Sequence, residues 1–79
     1  MEHKSIVSTI QYGKFVVSLD EALKKRKLSR TKLAQLANTN YKNIKRLCDQ
    51  DVQRIDLDIL ARICYVLECE ISEVVHYEK

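Results

Sequence analysis

Five of the six side chains from Tyr41 to Arg46 (Tyr41, Lys42, Asn43, Lys45 and Arg46) end in a hydrogen-bond donor, and only Ile44 between them is apolar. Donors in such density suit a surface rich in acceptors, and duplex DNA is one: lysine can donate to guanine O6 and N7, asparagine can pair with adenine, and arginine takes phosphate. Ile44, Leu47 and Cys48 recur at helical spacing, so one helix would turn these three inward and the donors outward. The surrounding charge fits the same chemistry. From Lys24 to Arg46 there are nine basic residues and no acidic one, while the remaining chain carries five basic and eleven acidic residues, so a net charge of +3 conceals a +9 middle. A basic segment between acidic ends is what a polyanion-binding surface requires, although a solvated helix face would give the same count.

Other chemistries find less support. Cys48, Cys64, Cys69 and His76 are atoms a zinc ion accepts, yet only Cys64 and Cys69 are close in sequence, and all three cysteines fall on apolar helical positions. No metal and no cofactor is expected, and the thiols read as free and buried. The two histidines, His3 and His76, lie in the terminal segments, no serine or cysteine has a base at helical spacing, and no glycine-rich phosphate loop is present, so the chain does not read as an enzyme. No apolar run approaches the roughly 20 residues of a membrane span. With an odd cysteine count and no signal-like apolar stretch after Met1, the expected compartment is the cytoplasm, with no membrane partner.

The elements that must carry the donors can be read from caps and periodicity. Seventy-nine residues with no proline and one glycine suggest one small helical domain. Residues 5 to 18 are β-branched and aromatic, which predicts an extended arm or a hairpin turning near Tyr12-Gly13; it must pack on the helices, on the chain's own C-terminal tail, or on a second copy. Ser18 with Glu21 forms a capping-box pattern that opens a first helix from about Leu19 to Lys27. Ser29 caps a second helix of about residues 30–37 with Leu33, Leu36 and Ala37 inward, and Asn38 suits the left-handed exit that follows. Asn40 caps a third, from about Tyr41 to Cys48. Asp56 caps a fourth, Leu57 to Leu67, with Leu57, Leu60, Ala61, Cys64 and Leu67 inward, and a short turn from Ile71 to Val75 precedes a tail.

The run from Leu28 to Leu47, with Ala34 where two short helices must approach closely, resembles the helix-turn-helix of the lambda-repressor and Cro superfamily of phage and bacterial regulators. The likeness extends over roughly Phe15 to Tyr77 and includes Arg54-Ile55-Asp56-Leu57 and Leu67-Glu68-Cys69. It implies an all-α fold of five short helices, residues 19–77, behind an extended or β-type arm of residues 1–18. It also implies a homodimer acting at operator DNA, here read as a repressor.

Carried over by position, Arg30 matches the phosphate-clamping residue in the first turn of the second helix. Tyr41, Lys42 and Lys45 match the positions that reach base edges, and Arg46 matches a backbone contact. Asn43 and Arg54 are further candidates, and Thr31 and Asn40 complete the set. Asp49-Gln50 stands where Asn-Gly often meets phosphate in that family. Lys24 to Lys27 read as long-range steering. For the dimer interface the N-terminal strand is favoured over the fourth helix and the C-terminal tail. The rival reading is a protein-interaction module or antitoxin-like partner on the same fold; the scattered aromatics Tyr12, Phe15, Tyr41, Tyr65 and Tyr77 argue against a single-strand RNA reader.

Overall fold

A computed structural model describes residues 12–79. The chain runs through β1 (Lys14–Val17), α1 (Leu19–Lys25), α2 (Arg30–Leu36), α3 (Tyr41–Cys48), α4 (Leu57–Leu67), a single 3₁₀ turn at Ile71–Glu73, and β2 (Val75–Glu78). Against the expected five helices, the described residues form four α-helices, one 3₁₀ turn and a two-stranded sheet. β1 pairs antiparallel with β2 in the register Lys14 to Glu78, Phe15 to Tyr77, Val16 to His76 and Val17 to Val75. The described part of the arm, β1, is thus supported by the chain's own C-terminal tail. The hairpin expected near Tyr12-Gly13 involves residues before Tyr12 and so lies outside the described residues. The expectation for residues 5–11 lies outside the described residues.

The only glycine has a reason to be where it is. A Cβ at Gly13 would overlap the Glu78 carbonyl oxygen and the Tyr77 ring, and the Gly13 N–H donates to Tyr77 Oη at 2.8 Å.

Local chemistry starts three of the helices. The side chains of Ser29, Asn40 and Asp56 accept from the backbone N–H groups of Lys32, Asn43, and both Asp58 and Ile59, satisfying donors that a helix start leaves orphaned. Ser18 does not close the expected capping box: it makes no cap bond, and its Oγ instead lies 3.4 Å from His76 Nδ1 in β2. Sheet pairing at Val17 fixes the backbone there, and the Ser18 N–H donates to the Val74 carbonyl at 2.7 Å.

All four helices end alike. Lys27, Asn38, Gln50 and Glu68 have φ between 52° and 62°, and in each case the following N–H reaches back five residues: Leu28 to Leu23, Thr39 to Ala34, Asp51 to Arg46 and Cys69 to Cys64. This is the left-handed exit that closes a helix and turns the chain sharply. It ends α1 two residues before the expected Lys27 and α2 at Leu36.

The core gathers Val17, Leu19, Ala22, Leu23, Leu33, Ala34, Ile44, Leu47, Cys48, Leu60, Ile63, Leu67 and Val74, so both the sheet and all four helices contribute. Two expectations of facing are corrected. Leu36 is 51% exposed, because Ala34 and Ala37 occupy the inner side of α2 and bring it close to its neighbours. On α4 the inner stripe is Leu60, Ile63 and Leu67; Leu57 is 74% exposed, Ala61 is exposed and Cys64 is half-buried. Leucines at two phases of one helix look equally apolar in sequence, and only packing chooses between them.

Candidate nucleic-acid interface

α3 is anchored by Ile44, Leu47 and Cys48, all buried. Truncating a fully buried isoleucine costs about 2–5 kcal/mol, which would remove much of the stability of a domain this small. With that face fixed inward, Tyr41, Lys42, Lys45 and Arg46 are exposed, as expected, with Tyr41 at 44%. Asn43 is the exception: it is half-buried, and its Nδ2 donates to Thr39 Oγ1 at 2.9 Å. That bond turns the amide back toward the interhelical turn, away from the outward set in which sequence spacing places it. Thr31 is exposed on the first turn of α2, and Asn40 is occupied by its cap.

The turn between α2 and α3 is held from behind by Arg62 of α4. Its Nη1 donates to the Asn38 carbonyl at 3.0 Å, while Nη2 pairs with Asp58 at 2.6 Å. Gln50, just past α3, ties the helix to the sheet. Its Oε1 accepts from the Val17 N–H at 2.9 Å and its Nε2 donates to the Val17 carbonyl, so a side-chain amide continues the ladder on the side of β1 away from β2. Neither residue stands out in the sequence, since the signal lies in contacts 24 and 33 positions away.

Arg30 is not free. Its guanidinium reaches Asp20 of α1 at 3.3 Å and Asp49 at 3.2 Å, and Asp49 also accepts from Lys45 Nζ at 2.9 Å. Lys24 joins at 3.6 Å from Asp20, giving an alternating string Lys24, Asp20, Arg30, Asp49, Lys45 that crosses three helices. Hydrogen bonding from Lys45 and the nearby Arg30 guanidinium hold the Asp49 carboxyl below the usual carboxylate range. Among the described residues, Lys42, Arg46 and Arg54 form no ion pair; Arg46 Nε donates to the Asp51 carbonyl at 3.3 Å. Arg46 and Arg54 line one shallow groove with Asn43, between α3 and the start of α4.

Of the basic run at the end of α1, Arg26 has a structural task in place of steering. It bonds to Glu73 at 2.6 Å and to the Leu67 and Ala22 carbonyls, clamping α1 to the end of α4 and the 3₁₀ turn. That bond pulls the Glu73 carboxyl below its ordinary range. Burial pushes the Cys48 thiol up to about 11, so it stays protonated at neutral pH. Among the described residues no three His, Cys, Asp or Glu side chains gather as a metal site, and no helix is long and apolar enough to cross a membrane.

Two short helices joined by a tight turn, the second anchored by one face and donor-rich on the other, define a helix-turn-helix DNA-binding domain. Residues 18–79 match the family model of the Cro/C1-type HTH DNA-binding domain, and the chain belongs to that family. Among solved structures the fold is similar to the crystal structure of transcriptional regulator VanUg in its Form II. The TM-score is 0.70 at 15% identity, covering 99% of this chain and 97% of that one. No curated protein matches the sequence. The family match begins at Ser18, whereas the fold reaches back through β1, whose partner strand lies within the matched region.

Proposed function

We propose that the protein is a sequence-specific transcriptional regulator, a repressor, which reads double-stranded operator DNA by laying α3 in the major groove. The observation that carries this reading is the exposed set Tyr41, Lys42, Lys45 and Arg46 on a helix whose other face is locked by Ile44 and Leu47. Lys42, exposed and without an ion pair among the described residues, is the residue best placed to reach a base edge. Tyr41 reads beside it, and Lys45, whose ammonium converges with Arg30 on Asp49, takes backbone phosphate together with Arg46, Arg30 and Arg54. Thr31 and Asn40 flank the contact, and Asn43 serves it indirectly by bracing the turn through Thr39.

The active form is a homodimer with its two α3 helices about 34 Å apart, matching successive major grooves. The outer side of the sheet supports the arm as the joining surface: Phe15 is 71% exposed and meets Tyr77 edge to face at 5.4 Å between ring centroids. No cofactor takes part, and the cytoplasm is the compartment that suits the role. In domain terms, residues 1–18 form the arm and 19–77 the DNA-binding unit.

Selection from a random duplex library with the purified protein tests the whole reading. A short near-palindromic site is the expected result; recovery of no enriched sequence would contradict it.

A further inference from the structure

Arg30 and Lys45 come from different elements, the start of α2 and the last turn of α3, yet both converge on one acceptor. That acceptor is the Asp49 carboxylate, 3.2 Å from the guanidinium and 2.9 Å from the ammonium. A planar donor fork and a point cation focused on a single oxyanion are also the parts of a phosphate clamp. We infer that Asp49 is a built-in competitor for the DNA backbone: its carboxylate sits where a phosphate would sit, and a phosphate must displace it to engage Arg30 and Lys45. The inference rests on the DNA-binding reading above.

The geometry favours displacement over permanent closure. Asp49 is the residue that ends α3, its side chain is 39% exposed, and rotation of that side chain alone would release both cations. Arg30 would then keep Asp20 as its second partner, so it would remain aimed across the gap between α1 and α3. In the unbound protein the two cations are already neutralised internally. They hold fewer solution counterions than two free cationic side chains would leave available for exchange, and the binding reaction is less salt-sensitive than the basic content of residues 24–46 implies.

The test is Asp49→Asn, which keeps the shape and the helix exit but removes the charge. Fluorescence anisotropy with a random duplex and with a duplex selected by the protein, across a salt series, gives affinity and slope. The expected result is affinity raised about two- to fivefold on both duplexes, as for release of an exposed ion pair. The slope of log affinity against log salt should steepen by up to about 0.9. The same substitution in an Arg30→Ala/Lys45→Ala background should then have little effect, because the clamp is gone. An unchanged or lower affinity for Asp49→Asn, or an equal gain in that background, would overturn the competitor role while leaving DNA binding intact. Absence of binding by the wild-type protein to either duplex would overturn the proposed function and this inference with it.

Discussion

At the scale of single residues, the donor pattern of α3 was legible in the sequence because it needs only helical spacing. Ile44, Leu47 and Cys48 go in, so Tyr41, Lys42, Lys45 and Arg46 must come out. What spacing could not supply was the company these side chains keep. Counting Lys24 to Arg46 as a block of nine cations ignores Asp20 and Asp49, just beyond its two ends, which fold back onto Arg30, Lys24 and Lys45. Asn43 likewise has a local partner in Thr39 that a helical projection does not show.

Two predictions belong here. Arg30→Ala should weaken binding to all duplexes alike and flatten the salt slope by no more than about 0.9, read from the same titrations. The second concerns acid. The folded-state carboxyls of Asp49 and Glu73 titrate below their ordinary values, so both contribute stability above the usual carboxylate range of about 4, and that stability is lost as pH falls through the lower folded values. Glu73→Gln should therefore lower the melting temperature most at neutral pH and flatten the acid side of a plot of melting temperature against pH, the difference from wild type shrinking as pH falls.

At the scale of elements, the helix starts were readable and the helix ends only partly. Ser29, Asn40 and Asp56 act within three residues of themselves, and Asn38 takes the left-handed exit its type allows. Lys27, Gln50 and Glu68 adopt the same backbone without being residues that favour it. Tertiary packing imposes the turn, and side chains such as Gln50, which bonds to β1, offset the strain. Glu68 makes no side-chain bond among the described residues. Glu68→Gly should therefore stabilise the fold by about 1 kcal/mol, the usual penalty for a side chain in that region, raising the melting temperature by about 4–8 °C. Asp56→Ala should lower stability by about 1 kcal/mol through loss of the α4 cap. Thermal unfolding followed by circular dichroism measures both. Which of two apolar phases α4 would bury was illegible, since Leu57 is as apolar as Ile63, and the choice depends on packing against α2.

At the scale of the whole molecule, the helical core and the helix-turn-helix followed from sequence, but closure of the domain by β1 and β2 depends on segments about 60 residues apart and has no local signature in the tail. The sheet leaves Phe15 and Tyr77 on its outer side, while Leu36, Tyr65 at 84% exposure and Leu57 remain uncovered on α2 and α4. If the sheet joins protomers, Phe15→Arg should shift sedimentation from dimer to monomer, while Tyr65→Arg should not.

The central claim is that α3 discriminates among sequences, and Lys42→Ala tests it most directly. Affinity would be measured side by side for the selected duplex and a random one at fixed salt. The account predicts a loss of about 1–3 kcal/mol on the selected duplex, with a much smaller loss on the random one. Equal losses on the two would contradict it, because α3 would then be holding the backbone without reading bases.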